Sequence, residues 1–493
     1  MPNQPGFSTS PRTVAAPYLA LQKNMRSFLP WLPVCLLGIG LMSACATTRR
    51  TERFYAKTLK KEIEKSPVFA QSFTGFTLLD PETGRTLCDV NGGHYFTPAS
   101  NAKILTLAAC LGILGDSVPA LEYVKIDDAV VFQGTGDPTF LHPQFEAWQA
   151  ARHLLYRPPY ALLYIRRNLD EGRFGPGWAW DDYDGAYQAE RSALPIYGNC
   201  VALSHQPDGK FHVEPTFFGR YFSSAWEKEA ETKREEFENR WQVAQGETAQ
   251  EQLLPFRTNP VPAPWHDSMN VDIPPLFDIV TALLSDTLKR DIPALSYENY
   301  QTQLDAYPWR TLYSTPLDTV LRRMMYQSDN FIAEQMLLVC AGVKYHKLCQ
   351  DSVIKWAKDS LLLSPITNNQ FPNNQFPRWV DGSGLSRYNL ISPRYLTEVL
   401  WKLWREQPHD RLLGLFPTAG APETTLDWWQ PVPPTPWLFA KTGSMGGVVC
   451  ISGYLRTRRG KTLIFSFMNN NFVGSAKPWR LEMRRILELV AGH

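Results

Sequence analysis

Thr97-Pro98-Ala99-Ser100-Asn101-Ala102-Lys103 runs directly into the apolar Ile104-Leu105-Thr106-Leu107-Ala108-Ala109-Cys110. A proline, small residues and then a largely apolar run predict a buried helix that Ser100 opens. Three residues apart on one helix face, Ser100 and Lys103 bring an amine within reach of a hydroxyl. Serine is a poor nucleophile at neutral pH and needs such a base beside it. Upstream, Gly75-Phe76-Thr77-Leu78-Leu79, the turn Asp80-Pro81-Glu82-Thr83-Gly84 and Arg85 to Val90 predict a hairpin. Downstream, Leu438 to Thr442, Val448 to Leu455 and Thr462 to Met468 read as antiparallel strands, and Pro478 to Val490 as a closing amphipathic helix.

Two further motifs lie downstream of Ser100: Ser328-Asp329-Asn330, and Lys441-Thr442-Gly443 at the start of an expected edge strand. Each is inexpensive alone, since Ser352-Val353-Ile354-Lys355 also matches Ser-x-x-Lys and Ser268-Met269-Asn270 also matches Ser-x-Asn. Order and context separate them, because Ser-x-x-Lys at a helix start, then Ser-x-Asn, then a strand-borne Lys-Thr-Gly is the signature of penicillin-recognising serine acyltransferases. A Gly-x-Ser-x-Gly elbow and a His-Glu-x-x-His pair are both missing, which argues against a Ser-His-Asp hydrolase and a metallopeptidase.

The 493 residues are 44% hydrophobic and 20% charged, with 16 Trp and 39 Pro, which excludes a disordered or collagenous chain and leaves room for two or three domains. Formal charge is +2, and Arg12, Lys23 and Arg26 fall in a first 45 residues that hold no acid. The remainder is near neutral, so nucleic-acid binding by bulk charge is not expected. Between Leu121 and Tyr300 lies a Trp-, Pro- and Tyr-dense middle that reads as an insertion. Within it Ala225 to Arg240 is highly charged, and Trp226, Ala230, Phe237 and Trp241 predict a solvated helix with one apolar stripe.

Lys23 and Arg26 precede a charge-free stretch from Ser27 to Ala44 that contains Pro30 and Pro33. A membrane-spanning helix wants about 20 apolar residues without such breaks, so the stretch reads as an export signal. Its end, Leu41-Met42-Ser43-Ala44-Cys45, resembles a bacterial lipobox with Cys45 as the lipidated residue, and Met25 is a candidate start. Beyond it stand Cys88, Cys110, Cys200, Cys340, Cys349 and Cys450, with no Cys-x-x-Cys pair. They read as buried apolar fillers, and Cys340 with Cys349 is the pair that could close in an oxidising compartment.

From about Phe73 to the end the chain resembles the class C low-molecular-mass penicillin-binding proteins, the D-alanyl-D-alanine carboxypeptidase/endopeptidase family of penicillin-binding protein 4 type. Besides the three motifs, the resemblance rests on Gly134-Thr135-Gly136-Asp137-Pro138, Gly177-Trp178-Ala179-Trp180-Asp181-Asp182, Ser314-Thr315-Pro316-Leu317, Asp381-Gly382-Ser383-Gly384-Leu385-Ser386-Arg387 and Ser444 after Lys441-Thr442-Gly443. Phe217 to Gln252 matches no family motif, and a lipobox is less usual there than a plain signal.

The resemblance implies an α/β (α+β) serine β-lactamase/transpeptidase-like fold with a large insertion between the first and second motifs. The expected segments are an export signal at 1–44, a catalytic domain at 45–120 and 301–493, and an accessory region at 121–300. It implies Ser100 as nucleophile, Lys103 as its base, Ser328 as proton relay and Asn330 as holder of the substrate amide. Lys441 and Thr442 would bind the terminal carboxylate, Gly443 would let the substrate lie close, and the N–H groups of Ser100 and Ser444 would form the oxyanion hole. Asp182 and Arg387 would hold the amine and carboxylate of a diaminopimelate side arm. The expected partners are peptidoglycan peptides, β-lactams and a membrane reached through the lipid on Cys45, in the periplasm, with neither metal nor cofactor. The alternatives from sequence are a related penicillin-hydrolysing enzyme and a catalytically inactive wall-binding lipoprotein.

Overall fold

The computed structural model describes residues 54–156, 160–166, 169–206, 210–224, 232–243, 251–258, 279–361, 377–422, 424–426, 429 and 436–493. The chain divides after Thr58. Before that point, the described residues belong to a π-type helical turn, Phe54–Leu59. Cys45 and the rest of the expected export segment lie outside the described residues.

In chain order, β1 (Phe73–Asp80) and β2 (Arg85–Val90) form the expected hairpin, and Gly84 takes the positive φ of 68° that its turn requires. Helix α1 (Lys103–Ile113) follows, then β3 (Ser117–Ile126), β4 (Ala129–Gly134) and β5 (Ala161–Arg166). Next come the short strands β6 (Cys200–His205), β7 (Phe211–Glu214), β8 (Phe222–Ser224), β9 (Lys233–Arg234), β10 (Trp241–Val243) and β11 (Gln252–Pro255). After β12 (Ala294–Ser296) and β13 (Arg310–Pro316) stand helices α2 (Leu317–Tyr326), α3 (Asn330–Tyr345) and α4 (Pro393–Glu406). The described chain closes with β14 (Leu438–Met445), β15 (Val448–Arg456), β16 (Thr462–Asn470) and helix α5 (Lys477–Ala491).

The two ends of the chain build one antiparallel sheet in the order β14-β15-β16-β1-β2, so β14 is an edge as expected. Strands β15 and β16 are almost wholly buried because both faces are covered, which is why their sequence reads as continuous apolar runs and not as alternation. Cys450 and Tyr454 pack in the core with α1 and α4, and Val449, Cys450 and Ile451 line a cleft with Arg480 and Met483 of α5. A second, mixed sheet, β12-β5-β4-β3-β13, and two three-stranded sheets, β8-β10-β9 and β11-β6-β7, come from the middle of the chain.

One expectation fails. In the described part of the charged stretch no helix forms: Lys233 to Val243 is a short antiparallel pair. Trp241 is buried and stacks on Phe222 at 4.7 Å between ring centres, and buried Arg234 donates to the carbonyls of Tyr183, Glu235, Glu236 and Glu238. Burying one tryptophan and one carbonyl-wrapped guanidinium outweighs helix propensity, and Phe237, expected on the apolar stripe, is exposed. The cysteines fit the apolar-filler reading, four of them buried, and the Cys340–Cys349 pair that could have closed is not formed. All six described cysteines are free, and the neighbour of Cys340 is Cys110 at 3.7 Å between sulfurs, because α1 packs on α3.

Candidate active site

The turn that carries Ser100 is a 3-10 segment, Ala99–Ala102, that hands over to α1 at Lys103, so the regular helix starts three residues later than Ser100. Two non-glycine residues here hold left-handed backbone, Ala99 at φ 46° and Ser328 at φ 58°. Such conformations persist where the surroundings over-determine them. Asn101 Nδ2 ties the turn to Ser452 Oγ of β15 at 2.8 Å. Gly443 must be glycine because a Cβ there would lie 2.7 Å from Pro98 O, and Gly384, at φ 82°, would clash with Ala99 O in the same way. Both glycines let backbone close on the turn that carries Ser100.

Lys103 is fully buried, and its Nζ donates to Ser100 Oγ at 3.1 Å, Asn330 Oδ1 at 2.6 Å and Ser383 O at 2.8 Å. Burial pulls its pKa down to about 8, and Asp329, Glu334 and Asp381 oppose that shift. A neutral amine has two N–H bonds and one lone pair. Asn330 and Ser383 present carbonyl oxygens that can only accept, so the lone pair of neutral Lys103 is left facing Ser100 Oγ, the one partner that can donate. Lys441 Nζ donates to Ser328 Oγ at 2.8 Å and Thr442 O at 2.7 Å, and burial followed by the nearby charge of Lys103 holds its pKa well below the usual lysine value.

Thus Ser100, Ser328, Thr442, Gly443 and Ser444 line one cleft of about 340 Å³, with Lys103, Asn330 and Lys441 bonded beneath it. Arg387 and Asp182 do not line that cleft and are linked to its elements only indirectly. Arg387 Nη2 donates to Gly446 O at 2.9 Å, in the turn after β14. Asp182 sits in a 3-10 turn, Trp180–Asp182, and its carboxylate beside the Tyr187 hydroxyl adds to burial in pushing that phenol up to about 12. The carbonyl of Tyr187 in turn accepts from Asn330 Nδ2 at 3.0 Å.

Reading the sequence missed the acid under the site. Glu334 on α3 is fully buried; its Oε1 accepts from Ser383 N at 2.7 Å, its Oε2 from Gln350 Nε2 at 2.8 Å, and Arg191 Nη1 lies 3.9 Å away. Burial raises its pKa, the neighbouring Asp381 adds to the rise, and Arg191 opposes it. By fixing the Ser383 peptide it fixes an acceptor of Lys103. An acid four residues after Asn330 inside an apolar helix was the available signal. Asp381 knits the adjoining loop, accepting from Gly384 N, Ser386 N, Asn389 Nδ2 and Trp178 Nε1. Among the described residues, no group of three or more His, Cys, Asp or Glu side chains is arranged to hold a metal ion.

The model of the D-Ala-D-Ala carboxypeptidase 3 (S13) family matches residues 55–486. The chain belongs to that family. It is a serine-type D-Ala-D-Ala carboxypeptidase by that membership. It is 25% identical over 439 residues to D-alanyl-D-alanine carboxypeptidase DacB of Haemophilus influenzae, covering 82% of this chain and 86% of that one. It is 26% identical over 486 residues to a D-alanyl-D-alanine carboxypeptidase of Actinomadura, covering 91% and 86% respectively. Among solved structures, penicillin binding protein 4 from Haemophilus influenzae shares the fold with a TM-score of 0.63 at 20% identity, over 88% of this chain and 99% of that one. The S13 family is thus assigned by sequence, and its fold is seen again in the coordinates.

Proposed function

We propose that this family member works on peptidoglycan stem peptides, removing terminal D-Ala and also opening D,D-cross-links, through an acyl-enzyme on Ser100. The observation that carries the reading is Lys103, buried and held so that its lone pair meets Ser100 Oγ. Neutral Lys103 takes the Ser100 proton as Oγ attacks the D-Ala carbonyl carbon. The N–H groups of Ser100 and Ser444 receive the oxyanion. As the C–N bond breaks, Ser328 passes its proton to the leaving amine and is reprotonated from Lys441, which bonds it, while the proton that Lys103 took from Ser100 restores Lys441. Water, deprotonated by Lys103, then cleaves the ester and restores Ser100. A β-lactam enters by the same attack, but its leaving group stays tethered, so the adduct persists.

Asp182 and Arg387 are read as holders of the diaminopimelate amine and carboxylate, supported by the Tyr187 link to Asn330 and by Arg387 against the turn after β14. The segments are read as signal 1–44, catalytic 45–120 and 301–493, and accessory 121–300, with β3 and β13 pairing at the joins. Export with lipid on Cys45 is inferred from the sequence before it. Among the described residues no helix is long and apolar enough to cross a membrane. Lipid labelling of wild type and Cys45→Ala tests the anchor, and a mature N-terminus elsewhere refutes it.

Intact-mass analysis after exposure to penicillin tests the reaction. The adduct is expected on Ser100 and absent from Ser100→Ala. An adduct on Ser352 or Ser383 would assign the nucleophile elsewhere, and no adduct would remove the reading.

A further inference from the structure

A D,D-peptide bond has a free carboxylate on the carbon that bears the leaving nitrogen, whether the leaving residue is a terminal D-Ala or the D-centre of a cross-linking residue. Recognition of that anion requires a cation that keeps its charge and faces the cleft. Lys441 meets neither condition well. Its side chain is fully buried, and two of its donors are spent on Ser328 Oγ and Thr442 O. Its burial and the proximity of Lys103 also disfavour the charged amine.

Arg480 meets both. It stands in the first turn of α5, exposed, and lines the cleft with Ser100, Thr442 and Ser444. Its Nη2 donates to Ser444 Oγ at 3.1 Å, and among the described residues no carboxylate lies within ion-pairing distance of it. A guanidinium remains protonated at any working pH and offers five donors in a planar fork, of which this contact uses one. Ser444 is itself exposed and two residues beyond Thr442 on the edge strand, so both side chains leave β14 on the same side. Arg480 therefore faces the hydroxyls against which a substrate lying along β14 would set its carboxylate.

We propose that Arg480 is the specificity residue for the carboxylate of the leaving amino acid, engaging it together with the Thr442 and Ser444 hydroxyls, while Lys441 serves the proton path through Ser328. This deepens the reaction proposed above and rests on it. The position comes from a helix far from the Lys-Thr-Gly motif in sequence, which is why motif spacing does not reveal it.

The test compares the wild-type full chain with Arg480→Gln and Arg480→Lys on an acyl-D-Ala-D-Ala peptide and on the same peptide with a C-terminal carboxamide. Arg480→Gln should raise KM for the carboxylate peptide about tenfold with kcat within about twofold, the pattern of lost uniform binding. Its kcat/KM on the carboxamide should stay at the wild-type value, Arg480→Lys should recover part of the loss, and the salt dependence of KM should flatten in Arg480→Gln. Equal losses on both peptides would mean that Arg480 only braces Ser444 and α5, and would overturn the proposal. No loss on the carboxylate peptide would overturn it as well. Penicillin labelling of Ser100 in the same preparations separates the two levels: a labelled wild type with an indifferent Arg480→Gln sinks this inference alone, whereas an unlabelled wild type sinks the reaction and this with it.

Discussion

Lys103, and Lys441 on β14, have fully buried side chains with each amine held by contacts of 2.6 to 3.1 Å, whereas the side chains of Arg387 and Arg480 lie near the end of β14 and, among the described residues, each makes a single hydrogen bond. All four are basic side chains within one site, yet burial divides their chemistry. Withdrawing an ammonium from water disfavours its charge, so the buried pair can exchange protons. Leaving a guanidinium in water keeps its charge and most of its donors, so the exposed pair can bind anions. The floor of the cleft is therefore suited to moving protons and its rim to choosing substrates.

If this division holds, damage to the floor should be large and indifferent to substrate. Glu334→Ala should cost about 3 to 5 kcal/mol in urea unfolding, because it strands the Ser383 N–H, the Gln350 amide and the Arg191 charge in the interior. A loss comparable to that of an exposed substitution would show that the polar floor is not integral to the fold.

Lys103→Ala should slow acylation by penicillin at least ~100-fold, the scale of a lost general base, with folding checked by the melting curve. An unchanged rate would assign the base elsewhere. The acylation rate in wild type should rise with pH, about tenfold per unit well below the Lys103 pKa, and level above about 8, since only the neutral amine accepts the proton. Arg480→Gln should keep that profile, because an exposed guanidinium does not set the protonation of the floor. A displaced profile would merge the two regions.

The smallest effects belong to the rim. Asp182→Asn should impair cleavage of diaminopimelate peptides by roughly tenfold while penicillin acylation stays within about twofold, because one charge-assisted contact is lost. Equal losses on both substrates would make Asp182 a structural residue of its turn.

These contrasts also explain what could be read in advance. The hairpin β1-β2, the edge strand with Lys441-Thr442-Gly443 and the closing helix follow from apolar runs, turn residues and local order, all short-range properties. Ser100 with Lys103 is a local pair too. The failure was long-range: the helix expected up to Arg240 gave way, in its described part, to strands seated by Trp241 on Phe222.

By itself, the sequence determined the Ser100 and Lys103 pair, the order of the three motifs, the strands that carry them and the family. Local spacing and apolar periodicity suffice for each. Only the tertiary structure decided that Asn330 and Ser383 orient the Lys103 lone pair, that Glu334 holds Ser383 in place, and that Arg480 reaches Ser444 from the last helix. Those contacts join residues that the chain keeps far apart, and their strength depends on which atoms lose water when the sheet and helices close, a quantity that no local pattern encodes.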